Sequence, residues 1–520
     1  MRLLLALLIL SARASAQTLL DEHHGFFPGD YFASSVAGVG DVNGDGKADW
    51  LAGAASVGAP SGYAVVTSGA DGSTLHLLFG TGSVDGFGSA ADGVGDLDGD
   101  GLDDFLVGAP YDDTGPFFDA GLVVLYSGAT GAPIAFLRGT AQSEQFGGRI
   151  AGLPDLDGDG LREFAVSGSG GANNGGYVDI FSGATLTEIL TLHGDSAFDG
   201  FGASVASPGD VSGDGIADLL IGAPFTDLNA TDAGSAYLHS GVGGGRLLTF
   251  RGSSVEESFG QAVGGEIGDF DGDLVPDLLV GAPGNDGGRP DAGMVRMFSG
   301  ATGAAIGSVF GEDQLEQLGT SLAALADADG DGRPDFALGS PFSLPTGDGR
   351  VLVYSSARGA FLPAFFSAET NSIYGGALAS GGDLDGDGLT DLLVGAAGSD
   401  FTDPDAGRAF AYSMAGLALG PLAPGLAGQI NATTVTEAAP LAEVYVMSSL
   451  QPGITPVPDC AGLSVEMSNA TVNGPVAADA VGAAAFSGFV PPGLSGRTLL
   501  LQAVEPGACS ISALLATTFP

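Results

Sequence analysis

Apolar residues fall along this chain in short runs, each bounded by glycine, proline or clusters of acidic and hydroxyl residues. FLVGAP ending at Pro110, LLIGAP ending at Pro224 and LLVGAP ending at Pro283 are runs of one kind. LVVLYSG (Leu122 to Gly128) and APIAFLRG (Ala132 to Gly139), joined by an A-T-G turn, are two others. They are too short for helices and rich in Val, Leu and aromatics, and no stretch between them sustains a 3.6-residue period. The pattern predicts strands and turns throughout, with four strands in each unit.

The units repeat. The motif D-x-[DNS]-x-D-G-x-x-[DE], with small variations, begins at Asp41, Asp96, Asp155, Asp210, Asp269, Asp327 and Asp383, at spacings of 55, 59, 55, 59, 58 and 56 residues. An aromatic-Gly pair or a close relative precedes most copies: Phe87-Gly88, Phe146-Gly147, Phe201-Gly202, Phe259-Gly260, Leu318-Gly319 and Tyr374-Gly375. A G-A-P run or a variant follows each, then a polar loop often closed by Asp-Ala-Gly, as at Asp119, Asp232, Asp291 and Asp405. Four short strands repeated seven times predict an all-β, seven-bladed β-propeller, which closes without long open edges. A linear solenoid is the competing architecture. Thr18 to Phe27 reads like the fourth strand of a unit, placed to pair into the last blade and close the ring.

The order F-G, acidic loop, G-A-P resembles the FG-GAP repeat of the integrin α-subunit head and of many bacterial secreted proteins, over about Leu19 to Leu419. Units one, three and seven depart from it, with Gly53-Ala54-Ala55, Ser167-Gly168-Ser169 and Gly395-Ala396-Ala397, and unit six has Gly339-Ser340-Pro341. The resemblance implies a propeller whose face opposite the acidic loops engages ligand.

The acidic loops carry the chemistry. Calcium takes six to eight oxygens from a flexible loop. Acids at positions 1, 3, 5 and 9 and a carbonyl at 7 supply them, while Gly at 4 or 6 permits the turn. The candidate ligands are Asp41, Asn43, Asp45, Lys47 and Asp49; Asp96, Asp98, Asp100, Leu102 and Asp104; Asp155, Asp157, Asp159, Leu161 and Glu163; and Asp210, Ser212, Asp214, Ile216 and Asp218. In the last three loops they are Asp269, Asp271, Asp273, Val275 and Asp277; Asp327, Asp329, Asp331, Arg333 and Asp335; and Asp383, Asp385, Asp387, Leu389 and Asp391. Lys47, Leu102, Leu161, Ile216, Val275, Arg333 and Leu389 act through their backbone carbonyls. Asn43 and Ser212 bring oxygen without charge, so their loops should bind more weakly. The loops resemble the first half of an EF-hand but lack its distal Glu and exiting helix. Up to seven structural calcium ions are expected; metal-free Asx turns are the alternative.

Composition agrees. Acids outnumber bases 62 to 15, a formal charge of −47 that repels nucleic acid and anionic lipid and attracts cations. Twenty-six of the 62 acids occupy the ligand positions, so metal accounts for a large part of the excess and not for all of it. Adaptation to salty water is the other reading of that charge.

At the N-terminus, Arg2, the apolar Leu3 to Leu10 and Ala14-Ser15-Ala16 before Gln17 read as a signal peptide over residues 1–16. Eight apolar residues do not span a bilayer, and no later segment is long and apolar enough to do so. The expected location is secreted or cell-surface. The propeller is assigned to 17–420 and P-L-A-P-G-L-A-G to a linker over 421–428. Residues 429–520, with strands expected at Ala442 to Val446, Leu463 to Met467, Thr498 to Val504 and Ile511 to Phe519, fit a small β-sandwich-like domain. In an oxidising compartment its two cysteines, Cys460 and Cys509, read as a disulfide.

No nucleophile or acid–base cluster stands outside the repeat. His76, His193 and His239 fall at repeat strand positions and His23-His24 near the N-terminus, so a non-enzyme is expected. The function expected is adhesion or ligand binding by a monomer, its partner an extracellular protein or glycan on the face opposite the calcium loops. A structural surface or matrix protein is the alternative, and a carbohydrate-active enzyme using a channel carboxylate pair is the third reading.

Overall fold

The computed structural model describes residues 18–55, 62–82, 85–170, 174–265, 267–287, 289–330, 332–342, 349–356, 359–362, 364–367, 369–400 and 404–414, together with the backbone strands of the region after 417. The expected signal peptide, the linker 421–428, Asp331, Cys460 and Cys509 lie outside the described residues.

Residues Leu19–Ser413 form one compact unit, and it is the seven-bladed propeller the repeat predicts, with no helix among the described residues. Each blade is an antiparallel sheet in strand order. The second, typical of the set, runs Ala90–Gly95, Asp104–Ala109, Leu122–Tyr126 and Pro133–Arg138 from axis to rim. The second strand of every blade is buried along its whole length, because other blades cover both of its faces. Outer strands alternate: Thr74–Phe79, Pro133–Arg138 and Ala305–Phe310 show one face to solvent. Thr18–His24 is the outer strand of the seventh blade, beside Arg408–Ser413, so the two ends of the propeller segment close the ring. Gly25 N–H donates to Gly407 O at 3.0 Å and Arg408 pairs with Glu22.

The F-G and G-A-P motifs are the interlock between blades. The aromatic is buried in the seam with the preceding blade: Phe87, 2 % exposed, packs with Leu51, Ala64 and Val66 of blade one. The glycines meet backbone to backbone. A Cβ on Gly222 of blade four would sit 1.9 Å from Gly260 O of blade five, and on Gly281 of blade five 2.2 Å from Gly319 O of blade six. Blade three has Ser167 at this position, and its Cβ lies 3.0 Å from where a Cβ on Gly202 would be. The departures from G-A-P thus stay small because there is no room for more.

The seven inner strands surround a channel of about 530 Å³, lined mainly by Gly and Ala, with Asp92 and Arg162 as its charged residues among the described residues. Asp92 accepts from Gly93 and Gly152 N–H at 2.9 Å each, and burial pushes its carboxyl up to about 6.

In the unit from Met414 onward the strands are antiparallel. Ile430–Thr436 pairs with Ala418–Leu419 and Ala484–Phe489, while Glu443–Ser449 lies between Thr471–Ala477 and Thr498–Glu505. Three of the strands expected there are present as Glu443–Ser449, Ser464–Met467 and Thr498–Glu505, while the one expected over Ile511 to Phe519 is two short strands, Ser510–Ile511 and Leu515–Thr518.

Candidate metal centre

Each acidic loop joins the first and second strands of its blade, and all seven adopt one hydrogen-bonded form. The position-1 carboxylate accepts the N–H of position 4 through one oxygen, at 2.7–2.8 Å, and of position 6 through the other, at 2.8–3.0 Å. Position 6 is left-handed in every loop. It is Gly in six, with φ from 83° at Gly332 to 92° at Gly101 and Gly160, and Leu274, φ 72°, in the fifth. The position-9 acid is the first residue of the second strand, or adjoins it, and is fully buried in all seven loops. One of its oxygens accepts the N–H of position 2, as Asp49 does from Val42 at 3.0 Å and Asp391 from Leu384 at 2.8 Å.

This arrangement converges carboxylates on one point. In the third loop single oxygens of Asp155, Asp157, Asp159 and Glu163 all lie within 4.8 Å of one another. Loops two, six and seven bring together positions 1, 3 and 9 (Asp96, Asp98, Asp104; Asp327, Asp329, Asp335; Asp383, Asp385, Asp391) to the same tolerance. The fifth gathers Asp269, Asp271 and Asp273, with Asp277 outside the group, and Asp100 and Asp387 likewise stand apart from theirs. Loops one and four do not gather three acids. Their third positions are instead Asn43, whose Oδ1 accepts from Asp45 N–H at 2.9 Å, and Ser212, whose Oγ lies 3.4 Å from Asp210.

The electrostatics of the cluster call for a cation. Burial pushes Asp49 up to about 6 and Glu163 up to about 7, and raises Asp104, Asp218 and Asp277 as well. Asp269 goes the other way, because the Leu274 N–H and other backbone donors hold its charge. Glu163 gives the sharpest sign. Its Oε2 accepts from Leu156 N–H, yet its Oε1 is buried and has no hydrogen-bond partner within a group of four carboxylates. An oxygen in that position is costly unless something positive faces it. The donor set, hard oxygens only, fits calcium.

Three supporting groups escaped the sequence reading. A Ser-Gly pair closes the third strand of most blades, and its Gly N–H donates to the position-9 carboxylate, as Gly69 does to Asp49 and Gly300 to Asp277, both at 3.0 Å. Its Ser Oγ lies 3.4–3.5 Å from the position-5 Asp in loops one, three, four and five. The recurrence of S-G after the third apolar run in blades one to five was the available signal. Position 2 is a packed plug: Val42, 1 % exposed, would touch a Cβ on Gly128 of the next blade at 2.8 Å. On the opposite face a buried acid stands two residues before the F-G aromatic or its counterpart (Phe32 in blade one, Leu318 in blade six) in six blades: Asp30, Asp85, Glu144, Asp199, Glu257 and Glu316. Each caps the turn entering its blade, as Glu257 does for Ser254 N–H at 2.8 Å and Asp199 for Ser196 N–H at 3.0 Å. These six explain a further part of the negative charge.

Comparison with known proteins agrees with this geometry. The FG-GAP repeat family matches residues 87–126, 201–239, 318–354 and 374–412, which are blades two, four, six and seven from the residue before the F-G glycine through the third strand. Blade seven is matched despite its Gly395-Ala396-Ala397. Integrin alpha-5 of Xenopus laevis is 30 % identical over 273 residues, 47 % of this chain and 24 % of that protein. Integrin alpha-V of Gallus gallus is 30 % identical over 238 residues (42 % and 22 %), and integrin alpha-IIb of Homo sapiens 32 % over 222 residues (39 % and 20 %). The chain spans about a quarter or less of the length of these relatives. With seven four-stranded blades joined by the interlock those motifs encode, this chain is an integrin-α-like FG-GAP repeat protein.

Proposed function

We propose that the protein is a secreted or cell-surface binding module, an adhesion propeller held rigid by calcium in its acidic loops. The observation that carries the calcium reading is the partnerless, buried Oε1 of Glu163 among four carboxylates. In each loop the ligands are the oxygens of positions 1, 3, 5 and 9 and the carbonyl of position 7. Loop three, where four carboxylates converge, is the strongest site, and loops one and four, with three acids each, are the weakest. The metal is structural: it neutralises the position-9 acid at the base of the second strand and so ties the inner hairpin together. Cys460 and Cys509 are proposed to form a disulfide in a C-terminal domain over 429–520, and residues 1–16 to direct export.

The partner, an extracellular protein or glycan, is assigned to the face opposite the metal loops. Exposed aromatics support that choice: Phe26, Tyr111, Phe117, Phe118, Phe198 and Phe225 all stand in loops of that face, Phe198 at 76 % exposure. The metal face offers Val242 and Leu274 among its exposed large apolar side chains, and no exposed aromatic among the described residues. Clustered exposed apolar groups mark interaction surfaces. The chain is read as a monomer and as a non-enzyme.

Thermal unfolding in chelator and in millimolar calcium, with bound metal counted in parallel, tests the metal reading. A calcium-dependent rise with about five to seven ions is expected; no rise and no bound ion refutes it. Saturable binding to immobilised protein or glycan, lost on Phe198→Ala with Phe225→Ala, tests the face.

A further inference from the structure

Neighbouring acidic loops are wired to one another through the backbone. At three junctions position 8, between ligand positions 7 and 9, carries an N–H that reaches the carbonyl of position 1 in the preceding loop. Ala48 N–H of loop one donates to Asp383 O of loop seven at 3.1 Å, Asp103 N–H of loop two to Asp41 O of loop one at 3.2 Å, and Thr390 N–H of loop seven to Asp327 O of loop six at 3.1 Å. The loop one–two junction is doubled, because Asp103 Oδ2 also accepts from Asp41 N–H at 2.9 Å. In loops five and six position 8 is Pro276 and Pro334, which have no N–H to give. Their rings face Gly209 and Gly268 of the preceding blades, where an added Cβ would meet them at 3.4 and 3.0 Å.

We infer that loops six, seven, one and two form a cooperative calcium-binding run, bounded at one end by the proline junction between loops five and six and at the other by the junction between loops two and three, where Arg162 N–H makes no such bond. The inference rests on the calcium reading proposed above. An ion in one loop fixes its positions 7 and 9, and with them the intervening position-8 N–H. That N–H then holds the position-1 residue of the neighbour, whose carboxylate is itself a ligand. The neighbour binds next with less backbone left to order, and by linkage the effect is equal in both directions. A single backbone hydrogen bond sets the scale, about two- to tenfold in affinity per junction.

Proline at position 8 is already accommodated in two loops, so Ala48→Pro and Thr390→Pro remove one donor each in a backbone form the fold tolerates. Calcium alone is titrated into the full chain by calorimetry, with bound ions counted after dialysis. The wild type is expected to show a Hill coefficient above 1. Each variant should bind the same number of ions with a lower coefficient and a two- to tenfold weaker tight class. Asp103→Ala, which keeps its backbone donor and loses only the carboxylate contact to Asp41, should shift the titration the same way and stands in if a proline variant does not fold. Equal ion counts with identical titration curves in wild type and variants overturn the coupling and leave calcium binding intact. A wild type that binds no ion overturns both.

Discussion

Glu163→Gln should stabilise the protein without metal and lose about 1 kcal/mol of that advantage when calcium binds. In the absence of metal the carboxylate is buried, one oxygen has no partner, and its pKa stands at about 7 against an ordinary 4.5. A folded-state pKa above the unfolded value means that the ionised form weakens the fold. That penalty is absent below the unfolded value and grows as pH rises through the folded one. At pH 7.5 it amounts to about 1–3 kcal/mol, the upper end being the whole shift at 1.36 kcal/mol per unit. Glutamine carries no charge, fits the same space and can keep the Leu156 N–H contact, so in chelator the variant should be the more stable protein. Calcium works against the variant. A site of about 0.1 mM dissociation constant contributes roughly 1.4 kcal/mol at 1 mM metal, and a tenfold weakening from losing one anionic ligand leaves about 0.4. The calcium-induced gain should therefore be smaller in the variant by about 1 kcal/mol. Urea midpoints at pH 7.5, for both proteins with chelator and with 1 mM calcium, decide it. A variant less stable than wild type in chelator refutes the burial argument. Equal calcium increments in the two proteins would remove Glu163 from the ligand set.

Raised carboxylates in the loops, Asp49 to about 6 and Glu163 to about 7, predict that without metal the melting temperature falls between pH 5 and pH 7.5, whereas saturating calcium flattens or reverses that slope. Calorimetry in two buffers of different ionisation enthalpy should also detect protons released on calcium binding near pH 6. Leu274→Gly should stabilise by about 0.5–1 kcal/mol, because a left-handed L-residue costs about 1–2 kcal/mol and glycine returns part of that as chain entropy. The side chain is 89 % exposed, so no packing is lost, and a lower melting temperature would count against the strain. Gly222→Ala should destabilise by about 2–3 kcal/mol, since its Cβ would lie 1.9 Å from Gly260 O. An unchanged urea midpoint would show that blades four and five separate freely.

Blade number, strand class and loop form were legible because each is set by local chemistry repeated in register. Glycine allows the left-handed residue at position 6, position-1 Asp caps the turn, and a short Val- and Leu-rich run can only be a strand. Family matching finds four of these units, while the spacing of the acidic loops finds all seven. Blade five escapes the family match even though LLVGAP is intact. Its inner strand is only Val263–Gly264 and its loop has Leu274 where the others have Gly.

What the sequence determined by itself was the propeller, the seven acidic loops and the candidate ligands within each, since every one of these is written within a few residues. The tertiary structure alone decided which groups meet across blades. Glu22 joins Arg408 across 386 residues of sequence, Gly222 abuts Gly260, and Asp103 grips Asp41 of the neighbouring loop. It also decided that Glu163 keeps a buried oxygen with no hydrogen-bond partner inside a group of four carboxylates. Burial and close approach arise when distant segments share a boundary, and a one-dimensional pattern carries the period of such contacts but not the distances at which they close.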